Sequence, residues 1–372
     1  MENAQARAHV LVLIPSLQGG GAERVVVTLL KYFDRSKFRL SLAVVDTRHA
    51  VYKDQIPSDV EFIDLQVPRV RHALLPIIRL IWRRRPTVVL STLGHLNLAL
   101  AMFRPLLPDS VRYIAREATM VSQLPTSFRI PRWWFWAYKA FYGRLNMVIC
   151  QSRSMREDLV DNFNFPSGKA VVINNPVDLA HVRRLAAEPT SDDPNQSSVR
   201  TDCVHLVAAG SLVHVKGFDL LIEAIALSRN SRLHLTLLGE GPLRSELQRL
   251  AKDKGLSERI RFVGFQQNPY AFLARADAFV LSSRFEGFPN VVLEALACGT
   301  PVIAVPCPGG VREILEHIEG CKLADRVTVE ALAKVLQEFK GHYRLSGEAV
   351  EPYAPEPITR QYEQALLGQL VQ

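Results

Sequence analysis

The stretch LSSRFEGFPNVVLEALACGTPVIAVPCPGG, residues 281–310, spells out a loop, a helix and a strand in succession. The apolar run Ala278-Phe279-Val280-Leu281 leading into it is short, continuous and followed by a polar loop, which predicts a strand buried on both faces. After the loop Ser282 to Phe288, Pro289 stands where a first helical turn accepts a proline. Asn290 to Cys298 then continues at helical period until Gly299 stops it, and Pro301 to Val305 is a second apolar strand.

A unit of this kind aims a helix N-terminus at whatever lies beyond the carboxyl edge of the sheet. The positive end of the helix dipole suits a phosphate there, in the crevice where open α/β sheets hold ligands. Two carboxylates flank that point, Glu286 in the loop and Glu294 in the helix. Beside a diphosphate a carboxylate is repelled, so the work that fits it is accepting hydrogen bonds from hydroxyls of a sugar or ribose.

The run Glu286-Gly287-Phe288-Pro289-Asn290-Val291-Val292-Leu293-Glu294, with Ala297-Cys298-Gly299-Thr300-Pro301-Val302 and Gly309-Gly310 behind it, resembles the paired-glutamate signature of retaining glycosyltransferases of the GT-B fold, family 4. The resemblance implies that Glu286 contacts a donor sugar and Glu294 the nucleotide ribose. It implies that the backbone between them, from Gly287 and Phe288 to Asn290 and Val291, touches the diphosphate.

The rest of the second half fits the same grammar. Leu206 to Gly210 reads as a strand, Ser211 to Gly217 as a loop and Phe218 to Ser228 as an amphipathic helix. Lys216 resembles the family lysine on the donor diphosphate, where its charge offsets that of the departing nucleotide. The arginine usual after the strand glycine is Ser211 here, which leaves more of that work to Lys216 and the helix dipole. Gly239-Glu240-Gly241-Pro242 matches the family turn, and Val263-Gly264-Phe265 stands where relatives meet the nucleotide base. Gly210, Glu240 and Phe265 therefore join the donor-binding set by resemblance.

In the first half, the strand His9 to Ile14 runs into Gly19-Gly20-Gly21 and a helix. Three glycines permit close backbone approach and leave N–H groups at the helix start for a ligand. The order is neither a dinucleotide fingerprint nor a Walker loop. By resemblance Gly20 and Gly21 face donor phosphates; a plain tight turn is the alternative. Ser91 to Asn97 follows the strand ending at Leu90, and relatives hold a histidine or other polar group here beside the reacting carbon. His95 is the candidate, with Thr92 as the alternative occupant. Arg116 and Glu117, just past the next strand, are read as acceptor-side groups for a phosphate and a hydroxyl, or else as an internal salt bridge.

Composition agrees with two ordinary globular domains: 372 residues, 48% hydrophobic and 22% charged. Five irregularly spaced cysteines suggest neither a disulfide framework nor a zinc site, and no stretch reads as a signal peptide or membrane span, so a cytoplasmic protein is expected. The net charge of +8 calls for anionic partners. All four tryptophans fall among basic residues, at Arg79 to Arg85 and Arg129 to Lys139. Trp133, Trp134 and Trp136 point in different directions on one helix, so part of this aromatic surface faces outward. That pattern suits an anionic membrane face, with a core helix bearing a solvated basic face as the alternative. Nucleic acid is not expected, because no recognition motif accompanies the charge.

The expected architecture is α/β, GT-B: two Rossmann-like doubly wound domains facing each other across a cleft. Residues 1–186, joined by a C-terminal helix at 355–372, form the acceptor side. A polar linker at 187–203 leads to the nucleotide-sugar domain, 204–354. The resemblance implies a retaining, metal-independent transferase without cofactor, the nucleotide sugar being a substrate. A UDP-linked donor and a polyprenyl-diphosphate-linked or glycan acceptor at the inner membrane face are the preferred partners. A sugar-nucleotide 2-epimerase and a non-catalytic sugar-nucleotide or membrane-binding module are the alternatives.

Overall fold

A computed structural model describes residues 7–67, 69–124, 131, 133–189, 203–341 and 343–369. The chain divides into two compact units, Met1–Pro176 with Tyr353–Gln372, and Val177–Pro352.

The first unit is built on a seven-stranded parallel sheet. Its strands are β1 (Ala8–Ser16), β2 (Phe38–Asp46), β3 (Glu61–Asp64), β4 (Val88–Thr92), β5 (Arg112–Arg116), β6 (Met147–Cys150) and β7 (Ala170–Val172), ordered β3-β2-β1-β4-β5-β6-β7. Alternate side chains feed two cores. Leu11, Leu13, Val89, Tyr113, Ala115 and Val148 pack beneath the helices Val70–Arg84, Gly94–Met102, Trp133–Phe141 and Arg153–Phe163. Val10, Val12, Ile14, Leu90, Ile114 and Ile149 pack beneath Gly21–Tyr32 and the C-terminal helix Pro355–Leu367. A sheet covered on both faces needs strands that are apolar at every position, which is why these read as unbroken hydrophobic runs.

The second unit repeats the plan with six parallel strands: β8 (Val204–Ala209), β9 (Leu233–Leu238), β10 (Ile260–Gly264), β11 (Ala278–Leu281), β12 (Val302–Ala304) and β13 (Lys322–Leu323). Their order is β10-β9-β8-β11-β12-β13. Strand order reverses between β1 and β4 in the first unit and between β8 and β11 in the second. These reversals are the topological switch points, where loops diverge and leave a crevice at the carboxyl edge.

One expected boundary moves. The sequence reading kept residues up to 186 in the first domain, but the helix Leu179–Ala186 belongs to the second unit. Asp178 caps it by accepting from the His181 backbone N–H at 3.0 Å, His181 packs edge-on against Tyr270, and Asn268 Nδ2 donates to the Leu185 carbonyl at 2.9 Å. Most of the expected linker, residues 190–202, lies outside the described residues, as do Arg129, Ile130 and Arg132 of the basic aromatic stretch.

Candidate active site

The two loops at the switch point of the second unit carry the charged residues singled out by the sequence. The loop after β8 holds Lys216, the loop after β11 holds Glu286, and Lys216 Nζ donates to Glu286 Oε1 at 2.7 Å. Ser283 Oγ donates to the same oxygen at 2.7 Å, and Ser282 Oγ holds the Lys216 carbonyl at 3.0 Å. Farther out, Arg284 spans the loops: its backbone N–H donates to the Val215 carbonyl, and its guanidinium grips both oxygens of Asp219 at 2.8 and 2.6 Å. Half-burial pushes the Asp219 carboxyl up, but the bonds and charge of Arg284 outweigh it and hold the group below its usual value.

Glycines make this convergence possible where backbone meets backbone. Gly217, at φ +62°, would place a Cβ 2.1 Å from the Ser282 carbonyl oxygen, and Gly309, at φ +119°, would place one 1.9 Å from that of Glu286. Gly210, at φ +151°, leaves its space to the Lys216 stem, whose Cε would lie 3.4 Å from a Cβ there. The approaches at Gly217 and Gly309 are ones that only glycine permits, whereas the contact at Gly210 is an ordinary one.

Beyond Glu286, Pro289 is the N-cap of the helix Asn290–Ala297, and Phe288 is buried beneath the turn against Gly310. Val291 lies in the helix's first turn and Glu294 is buried one turn on. Glu240 follows β9 and pairs with Arg244, whose other nitrogen reaches the Phe262 carbonyl at 3.2 Å. Phe265, after β10, presents its ring to solvent at 66% exposure. Lys216 and Glu286 are thus in contact. Gly210, Glu240 and Phe265 belong to the loops at the same edge of the sheet, whose adjoining strands supply them in order.

In the first unit three readings change. The N–H groups of Gly19 and Gly20 are not left for a ligand: both donate to Glu23 Oε2, at 2.7 and 2.8 Å, while Ser16 Oγ donates to Oε1 at 2.5 Å. Glu23 is the third helical residue and its carboxylate reaches back to the N-cap backbone, the half of a capping box that a glycine N-cap allows, at a spacing visible in the sequence. Gly20 and Gly21 therefore open a helix whose start is already held by its own carboxylate.

Arg116 is fully buried. Its guanidinium donates to the Tyr362 hydroxyl (3.1 Å), Thr92 Oγ1 (3.3 Å) and Asn175 Oδ1 (2.6 Å). Glu117 is buried on the opposite face, accepting from Asn97 Nδ2 at 3.1 Å and from the Tyr142 hydroxyl. Burial pushes the Glu117 carboxyl up, against those hydrogen bonds and the Arg116 charge. Both side chains are buried and bonded within the first unit, and no direct ion pair between them is seen among the described residues. They tie the sheet to the elements on its two sides.

His95 keeps an open position. It lies exposed in the first turn of Gly94–Met102, at the carboxyl end of β4 and beside that unit's switch point. Leu93, just ahead of it, has φ +72° and ψ 129°, a conformation costly to leucine of the sort that gathers at functional sites. Thr92 is buried and bonded to Arg116, so it is not an exposed alternative to His95.

Residues 19–181 match the family model of Glycosyltransferase Family 4, and residues 190–345 match that of Glycosyl transferases group 1. A Campylobacter jejuni protein named N-acetylgalactosamine-N,N'-diacetylbacillosaminyl-diphospho-undecaprenol 4-alpha-N-acetylgalactosaminyltransferase is 29% identical over 325 residues, covering 82% of each chain. The Rhizobium meliloti lipopolysaccharide core biosynthesis glycosyltransferase LpsE is 35% identical over 177 residues, which are 44% of this chain and 50% of that one. Among solved structures, Anabaena HepE in complex with UDP and glucose superposes with a TM-score of 0.76 at 19% identity, covering 97% of this chain and 100% of its own. WaaG, a glycosyltransferase involved in lipopolysaccharide biosynthesis, gives 0.68 at 14% identity with 95% of each chain covered. At these identities the structural likeness is one of fold.

Proposed function

The chain belongs to the group 1 (family 4) glycosyltransferases of GT-B fold, and on that premise we propose that it moves a sugar from a nucleotide diphosphate, UDP-linked by preference, to a hydroxyl of a lipid-linked or glycan acceptor, retaining the anomeric configuration. The observation that carries this reading is the meeting of Lys216 with Glu286 at the switch point, immediately ahead of the N-terminal end of Asn290–Ala297. One ammonium and one helix dipole are what a departing nucleotide diphosphate needs, and two carboxylates suit sugar and ribose hydroxyls.

In this mechanism Lys216 and the first turn of the helix, with the backbone of Gly287, Phe288, Asn290 and Val291, stabilise the charge that grows on the diphosphate as the glycosidic bond breaks. Glu286 orients the sugar, Glu294 holds the ribose, and Phe265 and Glu240 border the base. Gly210 packs against the lysine stem at the strand end. His95 is the polar group of the first unit proposed to act beside the reacting carbon. With cationic and dipolar groups in place for the leaving group, the reaction proceeds without a metal.

The Campylobacter relative is named for an undecaprenol-diphosphate-linked acceptor, and the same class is proposed here. Supporting it, Leu75, Trp82, Leu106, Trp133 and Trp136 of the first unit are exposed, and Arg85 covers the Trp82 ring at 4.7 Å. Arg79, Arg83 and Arg84 are exposed on the Trp82 helix. Such a surface suits an anionic leaflet, each basic residue adding about 1 kcal/mol near it. No helix among the described residues is long and apolar enough to cross a membrane. The association proposed from this basic aromatic surface is peripheral, at the cytoplasmic face.

The test is transfer from UDP-, GDP- and ADP-sugars to a polyprenyl-diphosphate-linked saccharide, with each donor also incubated alone. Formation of a glycosylated product with retained anomeric configuration supports the reading. Isomerised donor without transfer indicates the epimerase, and binding without turnover the non-catalytic module.

A further inference from the structure

The Lys216–Glu286 pair sets the proposed donor site a problem of charge. Lys216 is the cation assigned above to the diphosphate, yet its ammonium is already held at 2.7 Å by Glu286, and both side chains are largely out of solvent, at 26% and 13% exposure. A contact so shielded is less screened than a surface ion pair. A diphosphate competes with Glu286 for the Lys216 ammonium, and where it draws Lys216 away it sits beside a carboxylate whose remaining side-chain partner among the described residues is the Ser283 hydroxyl at 2.7 Å.

We infer that Glu286 is a specificity-determining residue: it competes with the diphosphate for Lys216, so that a bare nucleoside diphosphate binds weakly and a donor carrying a sugar binds well. The inference rests on the donor-site reading above and adds to it a way of discriminating substrate from product. A sugar nucleotide brings hydroxyls that donate to Glu286 as Lys216 leaves it, so the carboxylate exchanges one charge-assisted partner for others. A nucleoside diphosphate brings no such donor, and its binding leaves Glu286 short of a partner in a half-buried site. Once transfer has removed the sugar, Glu286 pulls Lys216 back and helps expel the nucleotide. Affinity is reduced by the fraction of molecules in which Lys216 is free, so a pair closed about nine-tenths of the time withholds about tenfold.

Ser283 gives the idea a second handle of opposite sign. It shares Glu286 Oε1 with Lys216, so removing its hydroxyl leaves that oxygen to the lysine alone and tightens the pair.

Calorimetric titration of the full chain with UDP, GDP and ADP, and with their sugar-bearing counterparts, tests this. Wild type is expected to prefer the sugar nucleotide over the matching diphosphate. Glu286→Gln should bind the bare diphosphate on the order of tenfold more tightly and lose most of the preference for the sugar. Ser283→Ala should bind the bare diphosphate a few-fold more weakly, and Lys216→Met should bind both forms poorly. Thermal melting of each variant checks that it folds, and Ser283→Ala keeps the test open if Glu286→Gln does not. Unchanged or weakened diphosphate binding by a folded Glu286→Gln overturns the competition while leaving the donor site intact. Wild type that binds none of the nucleotides overturns the donor-site reading and this inference together.

Discussion

Gly309→Ala perturbs the proposed donor site without touching any charged side chain. Gly309 lies at φ +119°, where an L-residue is strained by about 1–2 kcal/mol or more. Its new Cβ would stand 1.9 Å from the Glu286 carbonyl oxygen, 2.7 Å from the carbonyl carbon and 3.0 Å from the Gly287 carbonyl oxygen. Carbon and carbonyl oxygen tolerate about 3.3 Å at closest. The Glu286–Gly287 backbone must therefore retreat by more than an ångström, and it cannot do so alone. Glu286 N–H is tied to the Pro308 carbonyl, and Gly310 N–H to that of Gly287.

A misplacement of about 1 Å in groups that position a substrate costs on the order of 100-fold in rate. Gly255→Ala is the control. Its φ is +69°, but nothing lies within 4 Å of the added methyl, so it reports backbone strain without collision. Steady-state transfer with the donor found by the panel, read beside thermal melting, should show both variants somewhat destabilised and only Gly309→Ala losing kcat/KM by about 100-fold. Activity of Gly309→Ala within threefold of Gly255→Ala would refute the claim that this backbone contact sets the geometry of Glu286.

Other outcomes follow from the same structure. Lys216→Met should lower kcat by about 100-fold or more, as loss of a leaving-group cation does, and EDTA should leave wild-type transfer unchanged; inhibition reversed by a divalent cation would defeat the metal-free mechanism. The Glu117 carboxyl is raised by burial, so wild type should lose stability as pH climbs from the ordinary carboxyl value, about 4.3, toward the raised one. Melting temperatures of wild type and Glu117→Gln should then converge in acid and separate as pH rises, with the variant higher; parallel pH profiles would refute this. Asp219 has the opposite sign. Held below its usual value by Arg284, it contributes stability that is present above about pH 4 and lost as pH falls through the lower folded value, so the deficit of Asp219→Asn at neutral pH should close in acid. A deficit that persists there would show that the ion pair is not its cause.

Much of the fold was legible in residue order because its causes are local. Continuous apolar runs mark strands covered on both faces, glycine and proline mark the ends of elements, and the run from Glu286 to Glu294 carries the family resemblance together with the strand before it, Ala297 to Val302 and Gly309-Gly310 behind it. Even the capped first helix was available locally, since Glu23 stands three residues after Gly20, where a side chain reaches back to the helix start. That part of the Trp133–Trp136 surface faces outward followed from helical geometry, while packing decided that Trp133 and Trp136 are exposed and Trp134 is covered.

What the order of residues left open was decided by partners remote in the chain. Arg116 and Glu117 end a strand, and a strand end by itself does not say whether a side chain meets solvent or protein. Arg116 lies on the face of the sheet covered by Pro355–Leu367, so its hydroxyl partner is Tyr362, 246 positions away, while Glu117 is turned toward Tyr142 and Asn97. Likewise Lys216 and Glu286 are 70 residues apart, and only the pairing of β8 with β11 places their loops side by side and lets the two charges meet. Sequence determined which groups the chain carries and which elements bear them; tertiary structure determined which charges neutralise one another, because that depends on strand order and on which face of a sheet is covered.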